Sequence, residues 1–141
     1  MTDADIPRIL SECRTIALVG WSAKPDRPSH AVAAFLAARG YRVIPVNPGL
    51  EGQVAPWGEA VRGNLAQVGA VDMVDVFRRS EDVGQVVDDV LTMKPRPRVL
   101  WLQLGVWDAA SADRARASGL EVVEDRCTKI EIQRLGLPPL A

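Results

Sequence analysis

Five short, mostly apolar runs, at 15–19, 42–46, 71–77, 98–104 and 120–124, alternate with stretches in which apolar residues recur every three or four positions. A run of this length bounded by glycine or proline reads as a strand buried on both faces, and the 3.6-residue spacing reads as an amphipathic helix. Ile6, Ile9, Leu10 and Cys13 give a short opening helix. Ser29 is a candidate cap for a helix carrying Val32, Phe35 and Leu36 and stopping at Gly40. Ser80 is a candidate cap for a helix with Val83, Val86, Val87, Val90 and Leu91 on one face. Asp108 opens an alanine-rich helix ending at Gly119, and 130–135 forms a terminal helical turn before a tail at 136–141. The glycine-rich stretch 49–69 is expected to hold a short edge strand near 54–57 and a weak helix near Asn64. Strand-helix alternation of this kind demands right-handed crossovers. The expected fold is α/β: one Rossmann-like domain over 1–141, a doubly wound parallel sheet of about five strands with helices on both faces.

Composition narrows the function. Hydrophobic residues make up 48% and charged residues 25% of the 141, which suits a globular core needing no staples. The net charge of −1 argues against broad binding to nucleic acid or to an anionic membrane surface, both of which need a basic excess. No apolar run approaches the roughly 18 residues of a membrane span, and the acidic start lacks the form of a secretory signal, so the cytoplasm is the expected compartment. Two cysteines without a C-x-x-C pair and a single histidine are too few for a usual zinc site.

In open parallel sheets ligands bind beyond the carboxyl ends of the strands, near the point where strand order reverses. Those ends carry Gly20, Trp21, Ser22, Lys24 and Arg27 after the first strand, and Asn47 after the second. Arg78 and Arg79 follow the third, Gln103 and Gly105 the fourth, and Arg126, Cys127 and Lys129 the fifth. A cationic rim is therefore expected on a nearly neutral chain, suited to an anionic small molecule. The loop from Gly20 to Ser29 leads into a helix start, where free N–H groups and the dipole favour phosphate. It matches neither G-x-G-x-x-G nor G-x-x-x-x-G-K-[ST], and Asn47 stands where a dinucleotide fold would carry a ribose-binding acid. From spacing alone, an ordinary loop stiffened by its prolines is the other reading.

The segments Gly20-Trp21-Ser22-Ala23-Lys24-Pro25-Asp26-Arg27-Pro28-Ser29, Tyr41-Arg42-Val43-Ile44-Pro45-Val46-Asn47-Pro48, Val74-Asp75-Val76-Phe77-Arg78-Arg79, Trp101-Leu102-Gln103-Leu104-Gly105 and Asp125-Arg126-Cys127-Thr128-Lys129-Ile130-Glu131 occur in that order. Together they resemble the motifs of the small bacterial and archaeal CoA-binding proteins, which are similar to the CoA-binding domain of succinyl-CoA synthetase α subunits and of ADP-forming acyl-CoA synthetases. The resemblance implies a domain that holds coenzyme A or an acyl-CoA. Ser22, Lys24, Arg27 and the N–H groups of Ser29 and His30 would hold phosphate oxygens, with Gly20 permitting close approach. Val46, Asn47 and Pro48 would line the nucleotide, and Phe77, Arg78 and Arg79 would flank the adenine or its ribose phosphate. Gln103 and Gly105 would face the pantetheine arm, and Arg126 and Cys127 its thiol end.

Individual residues carry competing readings. Cys127 is either a thiol placed to form a mixed disulfide with CoA, its thiolate favoured by Arg126 and Lys129, or a buried cysteine packing as a small hydrophobe. Cys13 is expected in the core, and His30 is expected neutral and hydrogen bonding. Asp75, inside an apolar run, requires a partner such as Arg78 or a backbone group. Trp21 is a candidate lid, while Trp101 and Trp107 are expected in the core or an interface.

With no nucleophile matched to a base, the leading expectation is CoA binding without independent catalysis, as a monomer or homodimer. One alternative is the CoA-holding component of an ADP-forming acyl-CoA synthetase with a separate catalytic partner. Another is an NAD(P)-dependent oxidoreductase, which the broken glycine fingerprint disfavours. A response regulator is excluded, because Trp21-Ser22 stands where paired acids would bind magnesium.

Overall fold

The computed structural model describes residues 5–141. Five parallel strands, β1 (Thr15–Val19), β2 (Arg42–Val46), β3 (Met73–Val76), β4 (Val99–Leu102) and β5 (Glu121–Val123), lie in the order β2-β1-β3-β4-β5. The order reverses between β1 and β3, so a crevice opens at their carboxyl ends. Helices α1 (Asp5–Glu12), α2 (Pro28–Ala38) and α5 (Thr128–Leu135) cover one face, packing on Ile16, Leu18, Val43, Met73 and Trp101. Helices α3 (Val83–Thr92) and α4 (Ala109–Ala117) cover the other, over Ala17, Ile44, Val74, Leu100 and Val122. The doubly wound single-domain fold expected from the sequence is the fold observed.

Differences fall at element ends. Pro28, not Ser29, opens α2, because the ring presets φ for the first helical position. Ser29 thereby moves inside the helix, and its Oγ accepts the Ser22 N–H at 3.0 Å. Ser80 starts a single 3₁₀ turn (Ser80–Asp82) before α3, and its Oγ accepts the Trp107 N–H at 3.1 Å instead of capping the helix. The expected edge strand near 54–57 reduces to one antiparallel bridge, Val54 to Ala60. The weak helix near Asn64 is a 3₁₀ turn, Leu65–Gln67, with Asn64 Oδ1 accepting the Ala66 N–H at 3.0 Å. The terminal helical turn lengthens to α5, starting at Thr128. Residues 136–141 return over the end of α2, where the Leu140 N–H donates to Arg39 O at 2.9 Å. Among the described residues, no helix is long and apolar enough to cross a membrane.

Candidate functional site

The loop after β1 is a self-bonded scaffold. Gly20 and Trp21 donate their N–H groups to Val46 O at 2.9 and 3.3 Å, fixing the loop to the end of β2. Ser22 Oγ accepts the Lys24 N–H at 3.1 Å, and Ser22 O accepts His30 Nδ1–H at 3.0 Å. A carbonyl oxygen can only accept, so Nδ1 carries the proton of this bond, the hydrogen-bonding role expected of His30. The imidazole stacks on Trp21, with centroids 5.5 Å apart, and Trp57 meets Trp21 edge-on at 6.0 Å. Trp21 is consequently buried in the core and is not a lid, a correction to the expectation from its loop position. Asn47 is likewise occupied: its Nδ2 donates to Trp21 O at 2.8 Å and its Oδ1 accepts the Gly49 N–H at 2.9 Å.

This scaffold forms one wall of a cleft of about 570 Å³ at the crevice, lined by Gly20, Ser22, Lys24, Arg27, Ser29 and Val32. Phe77, Gln103, Leu104, Val106, Cys127 and Ile130 supply the opposite wall. Gly20 has φ of +88°, and a Cβ built there would lie 2.3 Å from Phe77 O. Only glycine lets the first loop and the end of β3 approach this closely. Lys24 and Arg27 are exposed and hold no ion pair among the described residues, so both cations are available to a ligand. The Ser29 N–H points from the start of α2 without a backbone acceptor, whereas the His30 N–H is spent on Arg27 O at 3.1 Å. Ser29 keeps the free amide expected of it; His30 does not.

A second cleft of about 190 Å³ lies on the other side of Gly20, between Val46, Pro48, Leu65, Arg78 and Val86. Gly20 lines both, with Lys24 and Arg27 on the main cleft and Arg78 on the smaller one. The cationic rim is narrower than the sequence suggests. Arg79 pairs with Glu81 at 3.0 Å and with Asp82 at 3.2 Å, and Asp82 also faces Arg78 at 3.9 Å. Arg126 points away from the main cleft into a groove beside Ile6 and Arg116, and pairs with Glu131 at 3.1 Å. Lys129 lies over the Phe35 ring at 5.4 Å. Both cations expected beside Cys127 are thus engaged elsewhere, while Cys127 itself is buried and lines the cleft. Gly105 is set back from the lining; its N–H donates to Asp125 Oδ1 at 2.6 Å, which ties the β4–α4 loop to the β5–α5 turn.

Sequence reasoning missed a buried polar relay beneath the cleft. Asp75 finds neither Arg78 nor a backbone cap: its Oδ2 meets Thr128 Oγ1 at 3.4 Å, and its Oδ1 is buried without a partner. Thr128 Oγ1 also lies 3.4 Å from Gln103 Oε1, which accepts the Thr128 N–H at 3.3 Å. One hydroxyl proton cannot serve two acceptors. The contacts are all satisfied when Asp75 is a protonated acid donating to Thr128, and Thr128 donates to Gln103. Burial, the dominant cause, pushes the Asp75 carboxyl well above its ordinary range, in agreement with that proton count. With Oε1 engaged, the Gln103 Nε2 donors are left to face the cleft. Pairing of Asp75 with Thr128 is invisible in sequence because it joins β3 to α5 across 53 residues. The apolar liners Val32, Leu104, Val106 and Ile130 were also missed; Leu104 and Val106 bracket Gly105, which alone carries a sequence signal.

Cys13 lies in the core as expected, its thiol pushed up to about 12, chiefly by burial. Trp101 is fully buried and its Nε1 donates to Arg126 O at 2.8 Å, anchoring the turn that presents Cys127. Trp107 is exposed.

The uncharacterized protein YneT of Bacillus subtilis (strain 168) is 36% identical over 129 residues, covering 90% of this chain and 91% of that one. The structure of cell-free ID.343 from Thermus thermophilus superposes with a TM-score of 0.88 at 36% identity, over 96% of this chain and 99% of that chain. The apo dinucleotide-forming acetyl-coenzyme A synthetase 1 of Ca. Korarchaeum cryptofilum shares the fold, with a TM-score of 0.68 at 22% identity, over 84% of this chain but 27% of the synthetase. The model of the CoA binding domain matches residues 14–133, and the chain belongs to that family.

Proposed function

We propose that this protein binds coenzyme A across the crevice and carries out no chemical step of its own. The observation that carries the reading is the main cleft's polarity: two unpaired cations and a free helix-start amide at one end, and a mostly apolar passage past Gln103 to Cys127 at the other. A pyrophosphate with an attached pantetheine arm has that same order of charge. Lys24, Arg27 and the Ser29 N–H hold the pyrophosphate oxygens by charge-assisted hydrogen bonds. Gln103 Nε2 donates to an amide carbonyl of the arm, and Phe77 and Val106 flank its methylenes. The smaller cleft takes the adenosine, with Val46, Pro48 and Leu65 against the base and Arg78 near the ribose phosphate.

The groups that line the cleft support a role in binding without a step. Cys127 has no base beside it, and the one histidine is committed to Ser22 O. Calorimetry with CoA, 3′-dephospho-CoA and NAD tests the reading. Micromolar or tighter CoA binding, weaker binding of the dephospho form and none of NAD is the expected order. Tighter NAD than CoA binding would contradict it.

The fold shared with the acetyl-CoA synthetase supports a second reading, in which this chain holds CoA for a separate catalytic protein. Co-purification with a larger nucleotide-binding chain, and acyl-CoA synthesis only when both are present, distinguishes that case.

A further inference from the structure

Among the described residues four large hydrophobic side chains are exposed, and three of them, Leu104, Trp107 and Ile130, lie on the β4–α4 loop and the first turn of α5. Leu104 is 62% and Ile130 49% exposed, yet both also line the main cleft. They reach it from two elements, the β4–α4 loop and the first turn of α5. The loop bearing Leu104 is fixed by the Val106 N–H bond to Gln103 O at 2.8 Å and by the Gly105 N–H bond to Asp125. Free Lys24 and Arg27 stand at the far end of the same cleft. The site therefore grades from cationic to apolar, and the apolar end continues past Cys127 to solvent.

Building on the reading that the cleft holds CoA, we propose that its ligand is an acyl thioester of CoA, whose acyl chain lies on the lip formed by Leu104 and Ile130. A free thiol is too small to cover these side chains. An aliphatic chain leaving the pantetheine end would remove their surface, and its own, from water. The lip suits this occupant better than a protein, because two or three side chains fall far short of the roughly 800 Å² per partner that a stable protein interface buries. Both of its residues also line the ligand cleft.

Isothermal titration of the wild-type protein and of Leu104→Ser with CoA, acetyl-CoA, butyryl-CoA and octanoyl-CoA tests the proposal, with the oligomeric state of each followed by size-exclusion light scattering. Affinity is expected to rise about twofold per methylene, less than full burial would give because the lip covers one side of the chain. Leu104→Ser is expected to flatten that series. If CoA binds but the series is already flat in the wild type, or keeps its slope in Leu104→Ser, the acyl proposal falls and CoA binding stands. If neither CoA nor any thioester binds, both fall. A flat series with loss of a dimer in Leu104→Ser would assign the lip to contact between copies of the chain instead.

Discussion

At Gly20 the backbone is left-handed and a methyl group would strike Phe77 O at 2.3 Å, so two costs combine in one substitution. Gly20→Ala is expected to lower stability by about 2 kcal/mol or more and to push the first loop off the end of β3, weakening ligand binding by at least tenfold. Thermal unfolding and titration of the same sample measure both. Asp75 yields a pH prediction with a defined sign. Its native pKa is raised above the unfolded value of about 3.9, so the folded state binds a proton that the unfolded state has released. The side chain's contribution to stability is full below about pH 4 and is lost as pH rises toward the native pKa. Asp75→Asn keeps a donor to Thr128 and has no proton to lose. The variant should therefore gain stability relative to the wild type as pH rises above about 4. Parallel urea denaturation series of the two proteins that do not diverge as pH is raised from 4 would rule out the protonated relay.

Scaled up to elements, the proposed phosphate end of the site depends on how one loop is stitched to one helix. Ser29 Oγ holds the Ser22 N–H, and Ser22 Oγ holds the Lys24 N–H, so the loop's order propagates from the first turn of α2. Ser29→Ala leaves the Ser22 amide without that acceptor. The expected cost is about 1 kcal/mol of stability and a few-fold loss of CoA affinity, because Lys24 and Arg27 must then be ordered by the ligand. The elements that sequence reasoning read well are those whose signal is local. The Val83-to-Leu91 stripe predicts α3, and the runs ending at Gly20 and Asn47 predict β1 and β2, because burial on one or both faces leaves a periodic mark. Caps were read less well, since a serine before an apolar stripe does not reveal whether its hydroxyl will turn to a loop from elsewhere. Ser29 turned to Ser22 and Ser80 to Trp107, each bond joining the helix start to another segment.

For the molecule as a whole, topology was legible and electrostatics only in part. Alternating strand and helix signals force a parallel, doubly wound sheet, and that sheet brings the strand ends to one crevice. Lys24, Arg27 and Ser29 could be brought to the cleft from sequence because they follow directly from β1, whereas the burial of Trp21 could not be read that way. Arg79 and Arg126 could not, because whether an arginine is free depends on acids contributed by later turns, here Glu81, Asp82 and Glu131. Charge available to a ligand is concentrated at Lys24 and Arg27, so affinity should depend on salt and on these two positions together. Lys24→Ala with Arg27→Ala is expected to cost more than tenfold in CoA affinity and to reduce its salt dependence, with little change in melting temperature. Amide chemical-shift mapping during a CoA titration tests the placement of the site most directly. The account predicts that the largest shifts cluster on Gly20, Ser22, Lys24, Ser29, Gln103 and Cys127 around a single crevice. Shifts centred on Arg79, or on the groove beside Ile6 and Arg126, with the first loop unmoved, would contradict it.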